Sequence, residues 1–249
     1  MTRTYVITGS ASGIGLATAE KLKSLGNTVI GVDIHNADVV ADLSTPLGRH
    51  DGAKKVIEAA NGSIDAVIAC AGLAHPTAQT VSVNYFGVTE FLFALLPTLT
   101  KSKTPRVAIT SSVASIMPNS PELVEAMCAN DEVKAVKIAQ GLVDAAAGGE
   151  QLIYGSTKRA ISRWIRQQCL KPQWAGAGIP INAVAPAIVK TPMVDQLIKT
   201  QEEREGLSKL VPMPLNGFME PEVVASLLIW LTAVENTHVT GQTINRWWI

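Results

Sequence analysis

Short apolar runs bounded by turn residues alternate with longer segments of helical period along these 249 residues. That alternation limits the fold more than any other feature. A run that is apolar throughout suits a strand buried on both faces, and parallel neighbours need a crossover long enough to hold a helix. The predicted strands are TYVIT (4–8), TVIGVD (28–33), DVVADL (38–43), DAVIACAG (65–72), RVAITSS (106–112), PINAVAP (180–186) and GQTIN (241–245). Helical stretches are expected near 14–25, 46–60, 77–100, 152–175 and 220–234. Ser44 or Thr45 before Pro46, and Glu220 before Pro221, are natural helix starts. The pattern therefore predicts an α/β fold: one doubly wound parallel sheet of seven strands with helices on both faces, in a single domain spanning 1–249. With 47% hydrophobic and 17% charged residues, the chain has the apolar content for one large core.

Composition also removes several function classes. Twenty-one basic residues balance twenty-one acidic ones, so nothing draws a nucleic acid. Cys70, Cys128 and Cys169 form no C-x-x-C pair and suit free thiols in a reducing compartment. His35, His50, His75 and His238 are scattered without ligand spacing, so no metal is expected. The chain enters strand-like residues at once, and no segment reaches the length of a membrane span, which points to a cytoplasmic protein without a membrane partner.

Directly after the first strand comes TGSASGIG, with Gly9, Gly13 and Gly15, opening a helix. Glycines there allow a tight turn and close backbone approach, with amide N–H groups and the positive helix end aimed at a pyrophosphate. Asp33 closes the second strand, where its carboxylate can accept hydrogen bonds from the ribose hydroxyls of an adenosine and repel a 2′-phosphate. No Arg or Lys lies within the loop to neutralise that phosphate, so NAD is expected over NADP.

In LIYGSTKRAIS, Tyr154 and Lys158 lie four residues apart at a helix opening, stacked on one face. A neighbouring ammonium favours the phenolate and is expected to draw the phenol down towards a range useful for acid–base work.

With TGSASGIG, CAG, SVNYFG, TSS and YGSTK in that order, the chain resembles the short-chain dehydrogenase/reductase family over essentially its whole length. The resemblance implies a Rossmann-type domain and a catalytic set of Ser112, Tyr154, Lys158 and Asn84. Tyr154 would exchange the proton with the substrate oxygen, Lys158 would lower the phenol pKa and hold the nicotinamide ribose, and Ser112 would hydrogen-bond the substrate oxygen. Asn84 would fix a helix bend and anchor a water linked to Lys158. Cofactor contacts are implied for Gly9, Ser12, Gly13, Ile14 and Gly15 in the loop, for Asp33 and Ile34 after it, and for Asp42 and Leu43 near the adenine. Ala71, Gly72, Tyr154, Lys158, Val189 and Thr191 complete that set. Departures from the family pattern are Cys70 for Asn in CAG, Ala187 for Gly in NAVAPAIVKTP, and Trp247-Trp248 where the chain end usually carries Asp-Gly-Gly.

Ser112 and Tyr154 are 42 residues apart, farther than in most of the family. Such an insertion, at about 113–151, together with IGVDI, ADLST, VSVNYFG and SSVAS, resembles the bacterial 3α-hydroxysteroid dehydrogenase/carbonyl reductase group. Helices flanking this region usually form a subunit interface in the family, so the insertion implies a homodimer through another surface. A second segment, about 191–219, reads as a substrate lid. Met117, Met193, Leu197, Met213 and Trp247 either line an apolar pocket or form the lid's own core. The expected activity is NAD(H)-dependent interconversion of a hydrophobic secondary alcohol and its ketone. The alternative is a dinucleotide-binding sensor or scaffold without catalysis. Dehydration or epimerisation of a nucleotide sugar is disfavoured, because relatives of that kind usually carry a larger C-terminal domain.

Overall fold

In a computed structural model, which describes residues 2–195 and 198–246, seven strands form one parallel sheet. The strands are β1 (Thr4–Thr8), β2 (Thr28–Asp33), β3 (Val39–Val40), β4 (Ala66–Ala69), β5 (Arg106–Thr110), β6 (Ile181–Pro186) and β7 (Thr243–Arg246), in the order β3-β2-β1-β4-β5-β6-β7. The order reverses between β1 and β4, so the crossovers diverge there and leave a crevice at the strand ends, the usual ligand position of such sheets.

The central strands feed both faces, because successive side chains point to opposite sides. Val6, Val67 and Val107 enter one core, with Leu92 and Leu95 of α4 (Gly87–Leu99) and Ile161 and Trp164 of α7 (Leu152–Gln168). Their neighbours Tyr5, Ile7, Ile68 and Ala108 enter the other, with Ala19 and Leu22 of α1 (Gly13–Ser24) and Val224 and Leu228 of α10 (Pro221–Leu231). Helix α2 (Pro46–Ala59) lies on the first face and starts at Thr45, whose hydroxyl accepts from Gly48 N at 3.0 Å, the capping arrangement expected before Pro46.

Between β5 and α7 the chain is mostly helical. A 3₁₀ turn (Val113–Ile116) leads to α5 (Pro121–Cys128), α6 (Glu132–Asp144) and a second 3₁₀ turn (Gly149–Gln151) before α7. Ser120 and Asp131 cap α5 and α6 through their side chains. The 191–219 segment contains α8 (Pro192–Asp195) and α9 (Gln201–Leu210), the latter opened by a reciprocal capping box between Thr200 and Glu203.

Several elements are shorter than the pattern predicts. β3 is only two residues rather than 38–43. After one further ladder bond, Ala41 N to Asp33 O, the Asp42 carboxylate accepts from Ser44 N and turns the chain away. β5 stops at Thr110 because Ser112 caps the following 3₁₀ turn. The helix expected over 152–175 ends at Gln168, four residues before Pro172, and Ala175–Ala177 form a separate 3₁₀ turn. The stretch predicted as one helix over 77–100 is α3 (Gln79–Val81), a π turn (Ser82–Phe86) and α4. Together these make an apolar helix, Gln79–Leu99, long enough by length and composition to cross a membrane, contrary to the expectation that no segment reaches that length. Most of it is buried in the core just described, which accounts for its apolar character.

Candidate active site

The glycine turn is built so tightly that side chains are excluded. Gly9 has φ +69°, and a Cβ there would meet Ala71 N at 2.7 Å, while a Cβ on Gly15 would stand 2.0 Å from Gly9 O. The turn is tied to its neighbours by the strand-end side chains. Thr8 Oγ1 accepts from Ala71 N at 3.1 Å, and Asp33 Oδ2 accepts from Ala11 N at 2.9 Å while its Oδ1 accepts from Ile34 N at 2.7 Å. Ser12, at the N-cap of α1, makes no side-chain bond to the first helical turn, so those N–H groups point out of the protein's own bonding.

Above this turn a cavity of about 520 Å³ crosses the ends of the strands. Its wall includes Gly9, Ser12, Ile14 and Gly15, then Asp33, Ile34, Asp42 and Leu43 on the β2–β3 side, and Ala71 and Gly72 after β4. On the β5–β6 side it includes Ser112, Tyr154, Lys158, Val189 and Thr191. Two of the expected residues stand behind this wall. Gly13 turns the chain at φ +52°, against the Thr191 methyl, and Asn84 lies beneath, in the π turn.

Asn84 is wholly buried and fully engaged. Its Oδ1 accepts from Leu73 N at 2.7 Å, and its Nδ2 donates to Leu73 O at 2.9 Å and to Thr157 Oγ1 at 3.1 Å. The extra residue of the π turn is what swings this side chain out of the helix and onto the loop after β4.

At the other end of the cavity, Ser112, Tyr154 and Lys158 are brought together from β5's end and the first turns of α7. Ser112 Oγ accepts from Ala114 N at 3.2 Å and shares the cavity wall with the Tyr154 phenol. Lys158 Nζ lies 5.7 Å from the centre of the Tyr154 ring and donates to Thr110 O at 2.9 Å. Burial sets the titration of both groups. It pushes the Lys158 ammonium down to about 8, with only partial compensation from Cys70. It also holds the Tyr154 phenol above its ordinary value. The lowered phenol expected from the four-residue spacing is thus corrected: desolvation raises it, and the opposing contribution comes from Ser112 rather than from Lys158.

Cys70, in place of the family's Asn, accepts from Thr110 Oγ1 at 3.2 Å, and burial raises its thiol to about 11. Leu73, His75, Gln79 and Val83 also line the cavity and carried no sequence signal. Of the apolar candidates for a substrate wall, Met193 lines the cavity with Val194, whereas Met117 and Met213 pack around Val113, Ile188 and Val211 in a separate small core. Leu197, Trp247 and Trp248 lie outside the described residues. Among the described residues, no group of His, Cys, Asp and Glu is placed to hold a metal.

The turn, the unbonded first-turn amides and the acidic end of β2 fit a nicotinamide dinucleotide, whose pyrophosphate needs close backbone donors and whose ribose needs a carboxylate. Known proteins agree. A family model described as enoyl-(acyl carrier protein) reductase matches residues 9–245. A 3-alpha-hydroxysteroid dehydrogenase/carbonyl reductase of Comamonas testosteroni is 35% identical, over 96% of this chain and 93% of its own. A tropinone reductase homolog of Arabidopsis thaliana is 29% identical, over 97% of this chain and 90% of its own. Among solved structures, the 3-alpha-hydroxysteroid dehydrogenase of Pseudomonas sp. B-0831 complexed with NADH superposes with a TM-score of 0.89 at 35% identity, covering 98% of this chain and 94% of that one. With this site at the ends of this sheet, the chain belongs to the short-chain dehydrogenase/reductase family, as an oxidoreductase that acts on CH–OH groups with a nicotinamide dinucleotide.

Proposed function

We propose that the protein interconverts a hydrophobic secondary alcohol and its ketone, such as a hydroxysteroid, a terpenoid or an aryl ketone, using NAD(H). The observation that carries this reading is the grouping of Ser112, Tyr154 and Lys158 at one end of the cavity whose other end is closed by Asp33. When bound, the dinucleotide gives or takes the hydride. Tyr154 Oη donates the proton to the carbonyl oxygen in reduction and removes it from the hydroxyl in oxidation. Ser112 Oγ donates a hydrogen bond to the same oxygen and stabilises the charge that grows there. Lys158, fixed by Thr110 O, holds the nicotinamide ribose, and Asn84 keeps the loop at Leu73 in place.

The choice of NAD over NADP rests on Asp33. Its carboxylate stands on the cavity wall at the end of β2, and a ribose 2′-phosphate there would meet a like charge. The relative solved with NADH supports the same choice. The hydrophobic substrate rests on Met193 and Val194, which face the cavity from the lid, and on the steroid and carbonyl activity named for the Comamonas relative.

The test is nicotinamide absorbance on mixing the protein with NAD or NADP and a panel of hydroxysteroids, terpene alcohols and aryl carbinols, with Tyr154→Phe alongside. Turnover is expected with NAD, and the variant is expected to lose roughly 10²–10⁴-fold in turnover, the usual share of a general acid–base group, while still binding NADH. Undiminished turnover in the variant sinks the assignment. Binding without turnover across the panel leaves the non-catalytic sensor in possession.

A further inference from the structure

A second polar cluster lies beneath the β2–β3 end of the cavity. Its centre is Arg49 of α2, whose side chain is only 2% exposed. The guanidinium fork is filled on all sides. Nε donates to Leu43 O at 2.8 Å, and Nη2 donates to Ser44 O at 3.1 Å and to Ser82 O at 3.3 Å. Nη1 donates to Glu90 Oε2 of α4 at 2.8 Å, and Glu132 of α6 takes a bidentate pair, at 2.7 Å from Nη1 and 2.6 Å from Nη2. The three carbonyls belong to the segments that form this end of the wall: Leu43 lines the cavity itself, and Ser82 precedes Val83, which also lines it. Glu132 belongs to the insertion, so that segment supplies one of the two carboxylates that keep the cation in place.

We infer that Arg49 and Glu132 are positioning residues for the adenosine half of the cofactor: the insertion's carboxylate holds the guanidinium, and the guanidinium holds the backbone at Leu43 and Ser82. The assignment of that end follows from topology. Asp33, Ile34 and Leu43 stand at the β2–β3 side of the sheet, and the Ser112–Tyr154–Lys158 group stands at the β5–β6 side, so only the half remote from the chemistry rests on the brace. A buried guanidinium stripped of one bidentate carboxylate is left under-compensated and moves towards water or a new acceptor, taking its carbonyl contacts with it.

This inference rests on the dinucleotide reading of the cavity, and its test separates the two. ADP-ribose is titrated calorimetrically and NADH by fluorescence into the full-length protein, into Glu132→Gln and into Glu125→Gln. The last removes an exposed pair with Arg163 from the same insertion. For Glu132→Gln, Kd for both ligands is expected to rise about tenfold, the scale of one strong charge-assisted contact, with the emission of the NADH-saturated complex unchanged. Glu125→Gln is expected to match the unmodified protein. Unchanged ADP-ribose affinity in Glu132→Gln overturns the inference, as does an altered emission of bound NADH, which would place the effect at the nicotinamide end. If Glu132→Gln fails to melt cooperatively, Glu132→Asp takes its place, with a smaller rise expected and an unchanged Kd again overturning the idea. Failure of the unmodified protein to bind either ligand would instead remove the dinucleotide reading.

Discussion

Burying the Lys158 ammonium to 6% exposure strips its hydration, and the one hydrogen bond to Thr110 O does not replace it, so the group titrates near 8 rather than 10.5. The consequence for stability has a definite sign. Above about pH 10.5 both folded and unfolded chains carry the neutral amine. Between about 8 and 10.5 the unfolded chain holds a proton the folded one lacks, so stability rises with pH across that window. Below about 8 both are charged and the cost of burial is fully in force. Replacing the cation with an apolar chain of similar length is therefore expected to stabilise at neutral pH. Lys158→Met should raise the unfolding free energy there by about 1–3 kcal/mol while abolishing turnover, and the gain should shrink as the pH approaches 10. Denaturant melts at the two pH values check it, and a Lys158→Met that is less stable at neutral pH would show that the Thr110 contact outweighs desolvation. The pairing of Tyr154 with Lys158 was legible because a four-residue helical spacing is local. The direction of the phenol's shift was not, since it depends on how deeply the fold buries the pair.

The turn between β1 and α1 owes its legibility to the same locality: three glycines after a strand state the backbone path directly. The path is enforced by contacts, since the Gly15 Cβ position is occupied at 2.0 Å by Gly9 O. Gly15→Ala is expected to force the turn open, costing about 1–3 kcal/mol as overpacking does, and to abolish NADH binding. Fluorescence titration beside a thermal melt checks this, and an alanine variant with unaltered affinity would mean the turn has slack that the close contacts deny. Where elements depart from the sequence pattern, the reason is a long-range partner. Periodicity reads 77–100 as one helix because most of the apolar Gln79–Leu99 stretch is buried in the core. The π turn inside it answers to Leu73 and Thr157, which Asn84 binds from 11 and 73 residues away. β3 is short because the Asp42 carboxylate diverts the chain to Ser44 N, a competition invisible to an apolar count. His75 reaches the cavity from the loop that Asn84 pins, Gln79 and Val83 from α3 and the π turn after it, and Arg49 is one more basic residue on α2 until Glu132 arrives from another element.

On the scale of the whole molecule, the insertion decides which faces remain open. Leu123, Val124, Ala126 and Met127 of α5, with Ala135 and Ala139 of α6, are buried in the core that also holds α7, so the insertion packs over α7. The opposite face of the sheet is less complete. Val223 and Trp230, two helical turns apart on α10, are 39% and 47% exposed, and Val234 just beyond the helix is 44% exposed. An aromatic residue presented this way, flanked by aliphatic ones, is the kind of anchor on which stable interfaces depend. A homodimer through α10 is therefore expected, with sedimentation velocity giving a dimer for the unmodified chain. Trp230→Glu should shift it to a monomer at micromolar concentration, because a carboxylate at the centre of an isologous contact is buried twice, once from each subunit. The variant should keep its NADH affinity, since α10 lies on the side of the sheet away from α2 and α4 and Trp230 does not line the cavity. A compact tetramer would mean that a second surface assembles as well, and a dimer unmoved by Trp230→Glu would place the contact elsewhere on the surface.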